Sequence, residues 1–560
     1  MSKEKKRGKV WFMVPARGGS KAIPKKNVRI LAGKPLITYV LKTISEVANK
    51  ERIIVSTDDE DIEEVAAGYA QIHSRSEVNA DDISTLDDVA VEVAKYLKSE
   101  LGAADEDILM TIQPTSPFIT PETIKEAVSK YKETACETVL TVTDDRHLRW
   151  TIENEKATPL FERRVNRQQM LPVFSETGGI ISCKIEYLIK HGTRIGENIS
   201  LIEVDEKEGL DIDTYADWAL AEYWMKKLNI CIRVDGGKEL GFGHLYRALA
   251  IAQNIHSHEV SFVVRSDDDF RVGKDFLSGH NYPVIEVKSN DQFLGLLSSI
   301  KPTIVINDIL DTEVGYIQAL KEYGSFVVNF EDLGEGNRLA DVVINDLYPD
   351  LYPKENHWYG VEHSVLNPNF EMVSPRSEPT ENVKNIIIAY GGTDPCSLTQ
   401  KALEALSHIK YDGKATVVIG PGFSEMEDIR NLASGQKYEV EILSDVKNMA
   451  VLMKQADLAL TSAGRTVTEL MAVGVPTIAM CQNIREMHHN HASSTFGIIN
   501  LGMGSSITPE VLGEHINMFL KDINLRIDMY NRMMKAVRYR SNKTIVSKIF
   551  SAYEKKLNEV

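Results

Sequence analysis

Cysteine is scarce in this chain. There are five, at positions 136, 183, 231, 396 and 481, scattered, odd in number and without a C-x-x-C pair. A disulfide framework and a thiolate zinc site are therefore not indicated, and a reducing, cytoplasmic setting is expected. Long apolar runs are missing as well; nothing approaches the ~18 residues of a membrane span. The basic start at Lys3, Lys5, Lys6 and Arg7 precedes a short apolar stretch ending at Arg17. That stretch lacks the apolar core and cleavage site of a signal peptide and reads as a first buried strand, with the residues before it a solvated tail. An excess of positive charge is also absent: 64 Lys and Arg stand against 81 Asp and Glu, for a net charge of −17. This balance argues for no nucleic acid and no membrane as partner, while local basic loops could still hold small anions. No short-period repeat is present.

What remains is ordinary globular usage, 43% apolar and 26% charged over 560 residues. That length suits roughly three to four folded units. Short apolar runs alternate with helix-period segments. Strands are expected at 10–14, 52–56, 108–113 and 139–142, with a helix opening at Pro35. A second series begins at Asn229, after a helical stretch at 215–227, and a third at Lys384, after the breaker-rich segment Ser374-Pro-Arg-Ser-Glu-Pro. In the third series strands are expected at 386–390, 415–419, 439–443, 458–461 and 476–479. The expected class is α/β with mostly parallel sheets. The expected division is a domain over 1–228, a lobe over 229–373, a linker over 374–383 and a second lobe over 384–560. In such sheets ligands sit beyond the carboxyl ends of the strands.

The first chemical constellation follows the first strand: Pro15-Ala-Arg-Gly-Gly-Ser-Lys-Ala-Ile-Pro-Lys-Lys-Asn27. Gly18 and Gly19 let backbone N–H groups approach a ligand, and Arg17, Lys21, Lys25 and Lys26 bring charge to a triphosphate. The spacing is not that of a Walker A loop. The alternative is a solvated basic turn. This opening, with Gly33-Lys-Pro-Leu-Ile, Ser56-Thr-Asp-Asp-Glu, Gln113-Pro-Thr-Ser-Pro, Arg167-Gln-Gln-Met-Leu-Pro and Leu210-Asp-Ile-Asp-Thr, resembles the cytidylyltransferases that activate sialic-acid-like sugars. The resemblance covers nearly all of residues 8–228. It implies a Rossmann-like, glycosyltransferase-A-like nucleotidyltransferase domain. In it, the anomeric hydroxyl of a nonulosonic acid would attack the α-phosphate of CTP, with pyrophosphate leaving. By the same resemblance Arg17 and Lys21 would act on phosphates, and Ala16, Gly18, Gly19, Ser20 and Asn27 would line the nucleotide. Gln113, Arg167 and Gln168 would meet the sugar, and Asp211 and Asp213 would bind Mg²⁺. For Asp213 the alternative is capping of the next helix, and for Arg167 a weak surface ion pair. The stretch Glu176-Thr-Gly-Gly-Ile departs from the family's usual Asn-Gly-Ala-type turn.

The second constellation is Ile232-Arg-Val-Asp-Gly-Gly-Lys-Glu-Leu-Gly-Phe-Gly-His-Leu-Tyr-Arg247, which ends a strand and opens a helix at His244, a candidate general base. The alternative is a histidine that supports the loop. Two further strand–loop–helix junctions, Ala389-Tyr-Gly-Gly-Thr-Asp and Thr461-Ser-Ala-Gly-Arg-Thr-Val-Thr-Glu, could present N–H groups to a diphosphate or cap ordinary helices. These segments resemble the sugar-nucleotide hydrolase of pseudaminic acid biosynthesis and related spore-coat polysaccharide proteins. The resemblance covers about 229–540 and implies a two-lobed glycosyltransferase-B-type unit that releases UDP from a diacetamido-trideoxyhexose without metal. His244 would be catalytic, with Asp235 near it. Gly391, Gly392, Thr393, Ser462, Gly464, Arg465, Thr466 and Glu469 would hold the nucleotide. A cluster at His488, His489 and His491 offers metal-like spacing, or else nucleotide contact or capping.

Together the halves suggest a bifunctional enzyme of nonulosonic acid biosynthesis, of pseudaminic type, using CTP, a nonulosonic acid and a UDP-sugar. The two steps are not consecutive, so a separate synthase is expected as partner. A homo-oligomer is expected. Alternative readings of the second half are a glycosyltransferase or a non-catalytic nucleotide-binding module.

Overall fold

The buried run Trp11–Val14 and its counterparts at 53–55 and 108–112 are apolar on both faces, as strands covered by helices on either side must be. The computed structural model describes residues 8–19, 22–79, 84–134, 136–153, 155–237, 242–267, 270–349, 354–409, 411–420, 423, 426–444, 446–538 and 540–559. Contacts divide the chain into two units, Met1–Lys227 and Leu228–Val560.

The strands of the first unit are β1 Val10–Pro15, β2 Ile30–Leu31, β3 Lys34–Pro35, β4 Ile53–Thr57, β5 Gln71–Ser74, β6 Ile108–Ile112, β7 Thr138–Asp144, β8 Trp150–Glu153, β9 Lys156–Pro159, β10 Phe174–Lys184 and β11 Ile199–Glu203. Seven of them form one sheet in the order β11-β7-β10-β6-β1-β4-β5. β10 alone runs antiparallel to its neighbours in that sheet. Its pairing with β7 shifts register between Glu176 and Ile181. Gly178 sits in this irregularity at φ +69, where a Cβ would come within 2.3 Å of Gln113 Nε2. The Thr-Gly-Gly departure from the family's turn is therefore a bulge that makes room for Gln113.

The second unit holds two sheets. The first contains β12 Asn229–Val234, β13 Glu259–Arg265, β14 Val284–Val287, β15 Ile304–Asp308, β16 Phe326–Phe330, β17 Val342–Asn345 and β18 His357–Tyr359, in the order β14-β13-β12-β15-β16-β17-β18. The other contains β19 Asn385–Ala389, β20 Lys414–Ile419, β21 Glu439–Ser444, β22 Leu458–Ser462, β23 Thr477–Cys481 and β24 Ile498–Met503, in the order β21-β20-β19-β22-β23-β24. Both are wholly parallel. Each reverses strand order beside its first strand, the switch point where α/β sheets take ligands. The last helix, Asn542–Glu559, does not stay with the second lobe, to which its place in the chain assigns it. Its Ile545, Val546 and Ile549 join the core built on Ile230, Ile232 and Phe262 of the first lobe. The chain thus crosses back and stitches the two lobes together. Among the described residues no helix is long and apolar enough to cross a membrane.

Candidate active sites

In the first unit a cavity of about 330 Å³ opens at the carboxyl ends of β1, β5 and β6, lined by Arg17, Lys26, Asn27, Arg75, Thr85 and Gln113 among others. Asn27 is 7% exposed; its Nδ2 donates to the Arg17 carbonyl at 3.0 Å, while its Oδ1 has no partner. A buried amide oxygen without a donor is costly unless a ligand supplies one. Gly18 N donates to Asp58 Oδ1 at 2.9 Å, and a Cβ at Gly18 would meet the Asp59 side chain at 2.3 Å. Ala16 is buried beneath the loop and Gly19 exposed upon it. Ser20 and Lys21 lie outside the described residues. Two of the expected phosphate-binding charges are already paired. Lys25 Nζ reaches Asp59 and Asp61 at 2.7 and 2.8 Å, and Lys26 Nζ reaches the Ile212 carbonyl at 2.7 Å and Asp213 at 3.0 Å. They hold the loop's shape.

Asp211 and Asp213 differ sharply. Asp211 Oδ1 is buried without a hydrogen-bond partner. Burial raises its carboxyl from its ordinary value; a Thr115 hydrogen bond opposes this and the Asp213 charge adds to it. Asp213 is exposed and bound to Lys26. The helix Tyr215–Lys226 is capped by Thr214 in a reciprocal box with Asp217, so Asp213 is not its cap. Arg167 lies outside the cavity lining. Its side chain is 59% exposed, 3.9 Å from Asp144 and 3.3 Å from the Asp144 carbonyl, and its neighbour Gln168 is exposed. Arg75, absent from the sequence reading, enters the cavity from the end of β5, with Nε donating to the Ser56 carbonyl at 3.2 Å.

In the second unit His244 stands in the first turn of the helix Gly243–Gln253, 8% exposed. Its Nδ1 is 2.6 Å from Asp308 Oδ1. A carboxylate only accepts, so this contact, shorter than the 3.0 Å approach of the Arg247 guanidinium to the same nitrogen, places the proton on Nδ1 and leaves Nε2 as the basic nitrogen. Asp308 ends β15, Glu331 follows β16 and Asp346 follows β17; adjacent strands thus deliver carboxylates to one place. His244, Asp308 and Glu331 offer ligand atoms within 4.8 Å of one another, as a cation would want. A guanidinium is there instead. Arg247 Nη2 donates to Asp308 and, at 3.1 Å, to Glu331, and lies 3.0 Å from His244 Nδ1; Arg247 Nε donates to Asp308 at 2.6 Å. Burial raises the Asp308 carboxyl, yet Arg247 and His244 together hold it below its ordinary value. Removing Arg247 would leave buried carboxylates uncompensated, a loss of order 3–5 kcal/mol.

Asp235 is not the carboxylate at His244. It takes a bidentate grip from Arg233, at 2.5 and 2.8 Å, and accepts from Arg265 N at 3.1 Å. Residues i and i+2 on an extended chain share a face, which is what joins Arg233 to Asp235.

The second lobe supplies Arg465, whose guanidinium reaches Glu331 at 3.0 Å and Asp346 at 3.3 Å. A residue expected to hold the nucleotide is thus bound, through its side chain, to carboxylates of the opposite lobe. Asp346 is pushed up to about 7 by burial, with Arg247 opposing and Glu331 adding to it. Ser462 is buried, and Gly464 and Thr466 half-buried, at the end of β22. Gly391 (φ +94), Gly392 and Thr393 follow β19. Asp394 accepts from Leu398 N at 2.9 Å and Thr399 N at 2.7 Å, so it caps the next helix. Glu469, on the helix Thr466–Val473, is pushed up to about 7 by burial. Its folded-state value thus lies above its ordinary 4.5. Its charge costs stability as pH rises between these values, and the cost is complete above pH 7. Glu469→Gln is expected to stabilise the unliganded chain by about 3 kcal/mol at pH 8 and by almost nothing at pH 4, as urea unfolding at both pH values would measure.

Comparisons with known proteins fit these two units. Residues 11–169 match the family model described as cytidylyltransferase, and residues 386–548 match that of the glycosyltransferase family 28 C-terminal domain. An uncharacterized protein of Methanocaldococcus jannaschii is 33% identical over 276 residues, 46% of this chain and 56% of that one. The chain therefore spans only about half the length of that relative. The spore coat polysaccharide biosynthesis protein SpsG of Bacillus subtilis is 26% identical over 321 residues, 54% of this chain and 92% of that one. The CMP-N,N'-diacetyllegionaminic acid synthase of Legionella pneumophila is 30% identical over 226 residues, 39% of this chain and 97% of that one. A loop of small residues over β1, an unsatisfied Asn27 and a buried Asp211, in a unit that aligns with a synthase over nearly its whole length, assign the chain to the cytidylyltransferase family, here joined to a family 28 glycosyltransferase C-terminal domain.

Proposed function

We propose that the chain is a bifunctional enzyme of nonulosonic acid biosynthesis. Its first unit activates a di-N-acetylated nonulosonic acid, pseudaminic or legionaminic in type, with CTP. Its second unit hydrolyses a UDP-diacetamido-trideoxyhexose. The observation that carries the second half is the His244–Asp308 pair, a base of fixed tautomer at the end of a parallel sheet. A water held at Nε2 attacks the anomeric carbon. The water proton passes to His244, the bond from the anomeric carbon to the UDP oxygen breaks, and UDP leaves with its electron pair. Asp308 stabilises the imidazolium and keeps the ring oriented.

In the first unit Arg17, Arg75 and Asn27 hold the nucleotide, and Gln113 meets the acid. The acid's anomeric oxygen bonds to the α-phosphorus as pyrophosphate leaves, so positioning and charge neutralisation are the main demands. Mg²⁺ suits the carboxylates here, because Asp211 Oδ1 is buried without a partner. Asp211 and Asp213 would hold it, and it would neutralise phosphate charge when bound. The acid is made from the released hexose by a condensation that neither unit performs, so a separate synthase is required between the two steps.

The test uses the purified full chain in ¹⁸O-labelled water with each UDP-diacetamido-trideoxyhexose isomer, chelator and no acceptor. Label at the sugar's anomeric carbon is expected. Label on UDP phosphate, or no release from any isomer, would overturn the hydrolase half. Pyrophosphate release from CTP and a nonulosonic acid, with Mg²⁺, tests the other half.

A further inference from the structure

His488, His489 and His491 have the spacing of metal ligands, but two of them face the backbone of another loop. His489 Nδ1 lies 2.8 Å from the Ala463 carbonyl oxygen, and His491 Nε2 lies 2.9 Å from that of Gly464. A carbonyl oxygen only accepts, so each of these nitrogens carries its hydrogen and neither offers a lone pair to a cation. The carbonyls they grip are consecutive and belong to the loop between β22 and the helix Thr466–Val473.

Peptide planarity turns this grip into something further. In a trans peptide the C=O and the N–H that follows it point in opposite directions. Fixing the Ala463 oxygen fixes the Gly464 N–H, and the Gly464 oxygen, which His491 holds together with Val467 N at 3.2 Å, fixes the Arg465 N–H. The two imidazoles lie together, their ring centroids 5.4 Å apart, so both carbonyls are drawn to one side and both N–H groups turn to the other. Two successive N–H groups aimed alike form an anion-binding nest, and the start of the following helix adds its positive end. Among the described residues neither N–H donates to a backbone acceptor, and the Glu486 carboxylate, whose Oε1 lies 3.4 Å from where a Cβ on Gly464 would stand, accepts from Gln482 N at 2.8 Å instead. The imidazoles are held in turn by the first lobe. Tyr348 packs edge-on to His489 at 5.0 Å, and Asn490 N donates to the Leu347 carbonyl at 2.7 Å.

We propose that His489 and His491 are positioning residues that build a diphosphate nest from the Gly464 and Arg465 amides. The proposal rests on the reading that this lobe binds the nucleoside diphosphate of a UDP-sugar. The pair contributes hydrogen bonds to the protein's own carbonyls and never touches the ligand. Burial, with His489 adding to it, pushes the His491 imidazole down to about 4, so the clamp is neutral at physiological pH.

The test is calorimetric titration of the full chain with UDP and with uridine. His491→Leu is expected to weaken UDP at least tenfold and leave uridine unchanged, because the amides meet only the phosphates. His489 is half-buried, so His489→Leu gives the same split in a variant that disturbs packing less. His491→Gln and His489→Asn place an amide N–H near the lost nitrogen and should recover UDP affinity to within about threefold of the parent. An equal fall for UDP and uridine, or amide variants no better than the leucines, would overturn the clamp. Failure of the unmutated chain to bind either ligand would overturn the nucleotide reading, and the clamp with it.

Discussion

His244→Ala is expected to lower UDP-sugar hydrolysis by 10² to 10⁴, the usual contribution of a positioned general base, and to leave pyrophosphate release from CTP unchanged. The contrast follows from the division of the chain: His244 and its partners belong to 228–560, and the cavity beside Asn27 belongs to 1–227. Asp308→Asn is expected to cost nearly as much for a different reason. The amide keeps the shape but can turn its NH₂ toward Nδ1, which moves the imidazole proton to Nε2 and removes the base. It also leaves Arg247, which makes two of its hydrogen bonds to Asp308, with less negative charge around it. Asp235→Asn serves as the control. Asp235 balances the buried Arg233, so its loss should lower the unfolding midpoint while kcat stays within a few-fold. Steady-state UDP release by the three variants would separate these roles. Near-parental hydrolysis by His244→Ala would remove the histidine from the chemistry.

The same comparison shows how far residue order alone can reach. His244 was legible because a glycine-bearing loop between a strand and a helix is a local signal. Asp308 was not, although it ends an apolar strand, Ile-Val-Ile-Asn-Asp, as a site residue should. Nothing in the chain order says that β15 lies beside β12; the sheet order says it. Glu331 and Asp346 were hidden for the same reason, each following its own strand at a separation that only lateral pairing closes. Asp235, nine positions before His244, looked like its partner and is not, because Arg233 takes it first. Arg75 repeats the lesson in the first unit. Its strand, β5, is reached from β1 only through β4. The α/β class and the strand positions were readable because period and burial are local properties. The crossing of the last helix to the first lobe was not, since an apolar stripe states that a helix packs, not on what.

Asp211→Asn should show what the first site gives up for its chemistry. Cytidylyl transfer is expected to fall at least 10²-fold, because the buried oxygen that faces no protein donor is the one suited to a divalent cation. Stability is expected to move the other way. Burial raises the Asp211 carboxyl above its ordinary value, so the folded chain holds a proton there that the unfolded chain releases. Wild-type stability therefore falls as pH rises through that interval, and the asparagine variant does not share the fall. The two unfolding midpoints should meet at low pH and separate above it, with the variant higher. Adding Mg²⁺ should raise the wild-type midpoint at neutral pH and leave the variant's unchanged, since a ligand stabilises only the state that binds it. Asp213→Asn should have a milder effect on transfer, because that carboxylate is exposed and shared with Lys26. An Asp211→Asn chain that keeps both its transfer rate and its Mg²⁺-linked shift would show that the cation is held elsewhere. Loss of transfer alongside a gain in stability would instead identify Asp211 as a charge kept buried, against the interest of the fold, for the sake of the reaction.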